Sequence, residues 1–152
     1  MYRDILFKAK RKNWRELPKE QWWVEGLLWK KKYSSDRWYI SCFPNKDDNE
    51  EIRLIDSATI CQYTGLNDKN GNKVWENDIV KYWSYHDGDD YAQIKFGTYQ
   101  SCFDKMVSKH HGFYVNWESN RRKDLGYWLD WTDYAEIVSN IFDNPELLNG
   151  NR

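Results

Sequence analysis

The abundance of large aromatic side chains is the feature that most constrains this chain. Ten Trp and eleven Tyr occur among 152 residues, whereas Ala occurs only four times. Aromatic residues favour strands, and a sequence poor in Ala lacks the strongest helix former. The formal net charge is only −1, and the rings supply large surfaces to bury, so the composition is not that of a disordered protein. We therefore expect a folded, mainly β protein.

The length and the cysteine pattern exclude several classes of protein. A chain of 152 residues has the usual size of one domain. Its apolar runs are far shorter than the ~20 residues that span a bilayer, and its amino terminus lacks a signal-peptide pattern, so we expect a cytoplasmic protein with no membrane partner. Cys42, Cys61 and Cys102 are odd in number and widely spaced, which predicts reduced thiols. No nucleotide-binding or nucleophile motif occurs, so we predict no cofactor and no catalytic residue.

Short extended segments rich in aromatic and β-branched residues recur along the chain, separated by Gly, Pro, Asn and Asp. This spacing predicts antiparallel strands in a sandwich or a small barrel, with an SH3-like or pseudo-barrel core. Asn144 as a candidate N-cap and Pro145 at the first helical position predict a short C-terminal helix. The extended segments are residues 2–10, 22–29, 37–43, 52–56, 58–63, 73–75, 78–83, 91–96, 113–117, 127–131 and 136–142.

Five stretches at the two ends and in the middle of the chain form a specific pattern. They are residues 3–12, 23–26, 62–80, 112–115 and 137–148. Together they resemble the YopX family of phage and prophage proteins. The resemblance implies a β-rich fold with a small barrel in the second half, and a self-associating protein carried by a mobile element, but it implies no reaction. We therefore expect residues 1–152 to form one domain. The alternative is a division into an N-terminal β subdomain (1–60) and a barrel-like subdomain (61–152).

The sequence departs from the family pattern in a few places. Asn77 and Ser139 stand where the family has Gly, and residues 31–50 and 99–111 have no close correspondence. Because Asn tolerates left-handed backbone, the change at Asn77 is mild. Ser139 indicates that its position requires a small side chain rather than a positive φ.

The long central stretch and the C-terminal stretch contain residues that we interpret as architecture. Asn70–Gly71 predicts a tight turn, Trp75 and Ile79 predict core contacts, and Asp78 is placed to accept backbone N–H groups at a strand entry. The full set of structural positions is Tyr63, Gly65, Asn70, Gly71, Trp75, Asp78, Ile79, Asn140, Asn144 and Pro145.

Charge is unevenly distributed along the chain. Residues 1–32 carry ten Lys or Arg and four Asp or Glu, so their net charge is +6 and that of the remainder is −7. A ring that stacks on a base, beside lysines that contact phosphate, would bind nucleic acid. The pI of 6.3 lies well below the value above ~9 that is typical of dedicated nucleic-acid binders. The candidate nucleic-acid residues are Lys8, Lys10, Arg11, Lys12, Trp29, Lys30, Lys31 and Lys32.

Two sequence features invite a metal-binding interpretation. Asp68 to Gly71 resembles part of a calcium loop, but the register puts no carboxylate at its first or last ligand position. His86, Asp89 and His111 would support a metal-dependent hydrolase only if they converged in space. Gly and Asp are also the common residues of hairpin loops, so we interpret residues 86–90 as a solvated turn and predict no metal site.

The number of Trp residues indicates that some of them lie at a surface. Trp22 and Trp23 are adjacent, and neighbours in a strand point to opposite sides. Exposed Trp and Tyr are typical of protein interfaces. The leading hypothesis is therefore a non-enzymatic phage or prophage accessory protein that forms a homo-oligomer and binds a phage or host protein. Nucleic-acid binding is the alternative, and a metal-dependent enzyme is the third hypothesis.

Overall fold

The computed structural model describes residues 4–33, 37–42, 50–84, 88–117 and 135–149. These residues are mainly in antiparallel strands, which confirms the predicted mainly β class. The segment predicted at residues 127–131, which includes Trp128 and Trp131, lies outside the described residues. The chain divides into two compact units, Met1–Tyr63 and Thr64–Arg152.

The first unit is built on one antiparallel sheet. Its strands are β1 (Phe7–Lys10), β2 (Trp23–Lys30), β3 (Trp38–Cys42) and β4 (Glu51–Leu54). They are ordered β4-β3-β2-β1, and the first residues of β5 (Cys61–Asn67) pair with β1 on its other side. One face of this sheet forms a small apolar core, because alternate residues of a strand point to the same side. The buried core residues are Ala9, Val24, Ile40 and Ile55, packed against Phe7, Leu28, Trp38 and Ile60.

The second unit contains five further strands within the described residues. They are β6 (Lys73–Trp75), β7 (Asp78–Ser84), β8 (Gly88–Phe103), β9 (Met106–Asn116) and β10 (Glu136–Asn140). A four-stranded antiparallel sheet has the order β10-β7-β8-β9. Where the structure describes it, this sheet is open, so the strands form a small β core without closing into a barrel. The buried core residues are Val74, Val80, Ala92, Ile94, Val115, Trp117 and Ala135.

The C-terminal helical element is a single 3₁₀ turn at Pro145–Leu148, with Pro145 at its start as expected. Asn144 occupies the N-cap position as expected, but its side chain makes no capping hydrogen bond. The Asn144 side chain accepts a hydrogen bond from Ser139 Oγ at 2.7 Å and donates one to Glu146 Oε1 at 2.8 Å instead of capping the backbone. No helix in the described ranges has the length and apolar character needed to cross a membrane.

Strands β8 and β9 are longer than the sequence pattern predicts. The expected segments end at residue 96 and begin at residue 113, whereas the ladder continues to the pair Phe103–Met106. The added residues do not alternate between apolar and polar, and among the described residues no buried core lies against this part of the hairpin. Cross-strand contacts between rings replace core packing there, as described below. Asp89 and Asp90, predicted to lie in a loop, belong to β8.

We predict that Gly26→Ala lowers the free energy of unfolding by about 3 kcal/mol. Gly26 has φ +157°, and a Cβ at this position would overlap the carbonyl oxygen of Ser41 on the neighbouring strand. The control is Gly71→Ala, where φ is +82° but no atom lies within 4 Å of the added Cβ, so only about 1 kcal/mol is lost. Urea unfolding measures both. Equal losses would contradict the close approach of β2 and β3.

Candidate interaction surfaces

The Asn70–Gly71 turn is confirmed, and a buried carboxylate holds it. Gly71 adopts φ +82°, and its N–H donates to Asp68 O at 3.0 Å. Asp68 Oδ1 accepts hydrogen bonds from the N–H groups of Asn70 and Asn72, at 3.0 and 2.9 Å. Asp68 Oδ2 accepts a third, at 3.1 Å, from the N–H of Ile137 at the start of β10. Asp68 therefore connects the turn to β10, a role that sequence analysis missed.

The environment of Asp68 shifts its ionisation. Burial of the carboxyl opposes ionisation, but the hydrogen bonds from Ile137 and from the turn backbone outweigh burial and hold the pKa of Asp68 below its ordinary value. The carboxylate therefore stabilises the fold when it is ionised.

Four further structural positions, Trp75, Asn77, Asp78 and Ile79, lie in the environments expected of them. Trp75 and Ile79 are buried core residues, and Asp78 Oδ2 accepts a hydrogen bond from the Trp75 N–H at 2.8 Å. Asn77 adopts φ +69°, the left-handed backbone for which Asn is a mild replacement of Gly. Asn140 Oδ1 accepts the N–H groups of the turn that follows β10. These contacts shape the second unit.

Lys10 is the most unusual residue of the first unit. It is only 1% exposed, and its Nζ lies 3.9, 4.4 and 5.5 Å from the ring centroids of Trp14, Trp22 and Trp23. The rings of Trp14 and Trp22 meet edge to face at 4.8 Å. An ammonium group above indole faces is attracted by the ring electrons, and the attraction is strongest where water is excluded. We call this arrangement the Lys10 cage.

Hydrogen bonds fix two rings of the cage. The indole N–H of Trp14 donates to Asp56 Oδ2 at 3.3 Å, and that of Trp22 donates to the carbonyl of Leu17 at 2.9 Å. The expectation that Trp22 and Trp23 point to opposite sides of a strand is not met. Trp22 follows a 3₁₀ turn, and β2 starts at Trp23, so both rings approach the same ammonium.

The structure separates the predicted nucleic-acid residues into several environments. Lys10 is buried in its cage and is not part of a surface, and Lys8 Nζ lies 5.0 Å from the Trp23 ring centroid. Lys30 Nζ lies 5.3 Å from the Trp38 ring centroid, and Arg11 is half-buried. Lys12, Lys31 and Lys32 are exposed, and they remain the accessible lysines of the predicted set together with Lys30.

An exposed apolar surface covers the side of the first sheet opposite its core. Directly paired residues in antiparallel strands share a face, so β2, β3 and β4 form the rows Leu27–Ser41–Ile52 and Trp29–Tyr39–Leu54. Four of these residues are substantially exposed. Their exposed fractions are 52% for Leu27, 49% for Ile52, and 37% for both Trp29 and Leu54. We call these six residues the outer face.

Trp29 is held in one orientation within the outer face. Its ring stacks on Tyr39, with a centroid distance of 4.6 Å and an interplanar angle of 16°. Its indole N–H donates to Ser41 Oγ at 2.9 Å. A ring fixed before binding loses little conformational entropy when a partner covers it.

The distal part of the β8–β9 hairpin is a second exposed feature. β7 pairs with β8 only as far as Gln93, so in the described part of the sheet residues 95–114 form a two-stranded ribbon, which we call the arm. It ends in a two-residue turn in which Asp104 and Lys105 have φ +47° and +67°, the geometry of a type I′ hairpin. Met106 and Val107 beside the turn are 71% and 65% exposed.

Rings stiffen the arm on both faces. On one face Tyr99 stacks between His110 and Tyr114, at centroid distances of 5.2 and 5.1 Å. On the other face Phe96 meets His111 and Phe113 edge to face, at 5.1 and 5.0 Å. Such cross-strand ring pairs stabilise a two-stranded ribbon.

Two residues of the metal hypothesis, Asp89 and His111, lie at different places. His86 is outside the described residues, Asp89 is ion-paired with Lys81 at 3.0 Å, and His111 bonds to Thr98 Oγ1 at 3.1 Å. Asp89 and Thr98 are nine residues apart in β8, which at about 3.3 Å per residue is about 30 Å along the strand. Asp89 and His111 therefore cannot ligate one ion within this hairpin.

The fold and surfaces define a class of small, mainly β proteins with an exposed apolar sheet face and a projecting ribbon. The chain belongs to the YopX protein family, whose model matches residues 13–149. The family resemblance noted from the sequence is thus confirmed, although residues 3–12 precede the matched range. The chain is also similar to the crystal structure of protein EF1440 from Enterococcus faecalis, with 21% identity, a TM-score of 0.45, and coverage of 97% of this chain and 99% of that chain. No curated protein matches the sequence.

We predict that Asp68→Asn lowers the free energy of unfolding at neutral pH by about 2 kcal/mol, because hydrogen bonds to a charged acceptor are lost. The folded-state pKa of Asp68 lies below its ordinary value of 3.8. The stabilisation is therefore complete well above that pH and disappears as the pH falls through the folded-state pKa. Urea unfolding of wild type and variant should show a difference in the free energy of unfolding that decreases as the solution becomes acidic.

The control for this measurement is Asp104→Asn, which changes an exposed carboxyl at a left-handed position that Asn accepts. Its effect should be small at every pH. A constant difference between wild type and Asp68→Asn across the acid range would contradict the role of the ionised carboxylate.

Proposed function

We propose that this protein is a non-enzymatic accessory protein of a phage or prophage that self-associates through its outer face and acts in the host cytoplasm. The observation that carries the proposal is the alignment of Leu27, Trp29, Ile52 and Leu54 on one exposed side of the sheet, with Tyr39 between them. A contiguous exposed apolar surface on a small protein is typical of an interaction site. Its composition, with a central Trp and Tyr, is typical of the core of an interface.

The position of the outer face in the fold supports this proposal. The buried core of the first unit lies on the other side of the same strands, where Leu28 pairs with Ile40. The outer-face side chains are therefore not required to form that core. Their exposure to water is unfavourable in an isolated chain, and a second copy that covers them removes the cost.

The choice of a second copy as the partner rests on the chemistry of the surface. A twofold contact places the same apolar rows against each other, so it requires no complementary charge. The accessible basic residues Lys12, Lys31 and Lys32 provide the rival function, binding of nucleic acid by the first unit. The outer face favours self-association over that rival because its anchors are apolar rather than cationic.

We predict that the double variant Leu27→Gln/Ile52→Gln weakens self-association roughly a thousandfold. Each side chain is about half exposed, and burying it in an interface contributes about 1 kcal/mol, so a twofold dimer loses about 4 kcal/mol. Sedimentation equilibrium over a range of protein concentrations measures the dissociation constant.

The matched control is Leu66→Gln/Val138→Gln. These residues are 40% and 39% exposed but lie outside the outer face, so this variant should associate like the wild type. A wild-type protein that stays monomeric at all concentrations, or equal weakening by both double variants, would refute the proposal.

A further inference from the structure

The arm concentrates positive charge on an otherwise acidic unit. Residues 64–152 contain ten Lys or Arg and fourteen Asp or Glu, whereas residues 95–114 contain three Lys and one Asp. The arm thus has a net charge of +2 and the remainder of the unit −6. Within the described residues, Lys95, Lys105 and Lys109 take part in no ion pair.

We propose that the arm binds duplex DNA by entering the major groove, with Lys95, Lys105 and Lys109 contacting phosphates. A two-stranded β ribbon fits the width of the major groove. From Lys95 to the turn at Asp104 the arm extends about 30 Å at ~3.3 Å per residue, which corresponds to about nine base pairs. The three lysines occur at the base, the middle and the tip of the arm, so they can reach phosphates along this whole length.

The tip of the arm supplies apolar contacts that suit a groove. Among the arm residues whose side chains the structure describes, Met106 and Val107 are the most exposed apolar ones, at 71% and 65%. Apolar side chains in the major groove contact the methyl groups of thymine. The type I′ turn keeps the tip narrow, because it joins the strands with only Asp104 and Lys105.

The ring contacts favour duplex over single-stranded DNA. A single strand binds by stacking its bases on open aromatic faces. In the arm, Tyr99 already stacks on His110 and Tyr114, and Phe96 is already in contact with His111 and Phe113. These ring contacts connect the two strands, although Phe96 stays half exposed, and we assign the lysines and the tip to the partner.

This proposal is separate from self-association, because the arm and the outer face use different strands. It also differs from the nucleic-acid site expected from sequence, which uses the first 32 residues. Variants in each region can therefore distinguish self-association, DNA binding by the arm and nucleic-acid binding by the first 32 residues.

The test is fluorescence anisotropy with a labelled duplex of about 20 base pairs, which exceeds the length of the arm, between about 50 and 200 mM NaCl. Three phosphate contacts predict that the wild-type affinity falls roughly 40-fold over this range, whereas Lys109→Gln should fall roughly 12-fold because one contact is lost. Lys12→Gln is the matched control and should behave like the wild type. Asp104→Asn removes the only acidic group of the arm and should bind more tightly, at a left-handed position that Asn tolerates.

A second variant distinguishes the contribution of the apolar tip to DNA binding from the contribution of the lysines. Met106→Ser should weaken binding at every salt concentration without changing the salt dependence, since no ionic contact is lost. The Leu27→Gln/Ile52→Gln variant should retain binding of the duplex by its monomer even if it no longer associates, so failure of one proposal is distinguishable from failure of the other.

Several outcomes would overturn the proposal. These are no binding of the duplex at about 50 mM NaCl, equal salt dependence of wild type and Lys109→Gln, and tighter binding of the single strand than of the duplex. Loss of binding in Lys30→Glu/Lys31→Glu/Lys32→Glu with full binding by the arm variants would assign the activity to the first unit instead. A changed oligomeric state of Met106→Ser without a change in DNA binding would identify the arm as a protein interface.

Discussion

The contact between the Lys10 ammonium and three indole rings is the interaction on which the first unit depends. The residues between β1 and β2 have short 3₁₀ turns and no continuous apolar pattern of their own. They are held because Trp14 and Trp22 close over a cation that β1 supplies. The backbone N–H of Lys10 also donates to Thr59 Oγ1 at 2.8 Å, so one residue connects β1 to both the Trp-bearing turns and the turn before β5.

This arrangement explains how a basic, Trp-rich segment can be architecture rather than a binding site. Burial removes Lys10 from contact with any phosphate, and three of the ten Trp residues, Trp14, Trp22 and Trp23, surround its ammonium group. The strands that they support then carry a core on one side and the outer face on the other. In the second unit the same kinds of side chain act differently, because rings stiffen the arm while Lys105 and Lys109 stay exposed to solvent.

The sequence predicts those parts of the structure that depend on local chemistry. The turn at Gly71, the left-handed Asn77 and the core positions Trp75 and Ile79 follow from backbone preference and from short-range pattern. The Lys10 cage does not, because it depends on where distant turns place Trp14 and Trp22. The length of the arm was also missed, since its strands lack apolar alternation and their register is fixed by ring pairs that only the folded hairpin brings together.

The most direct test of this account is the stability of Lys10→Met, which keeps the length and apolar stem of the side chain but removes the charge. We expect urea unfolding to show a loss of about 2 kcal/mol, the contribution of a desolvated cation above aromatic rings. The same substitution at the exposed Lys12 should change stability by less than about 0.5 kcal/mol. Lys10→Met that equals or exceeds the wild type in stability would contradict the account, because the cage would then tolerate the ammonium rather than depend on it.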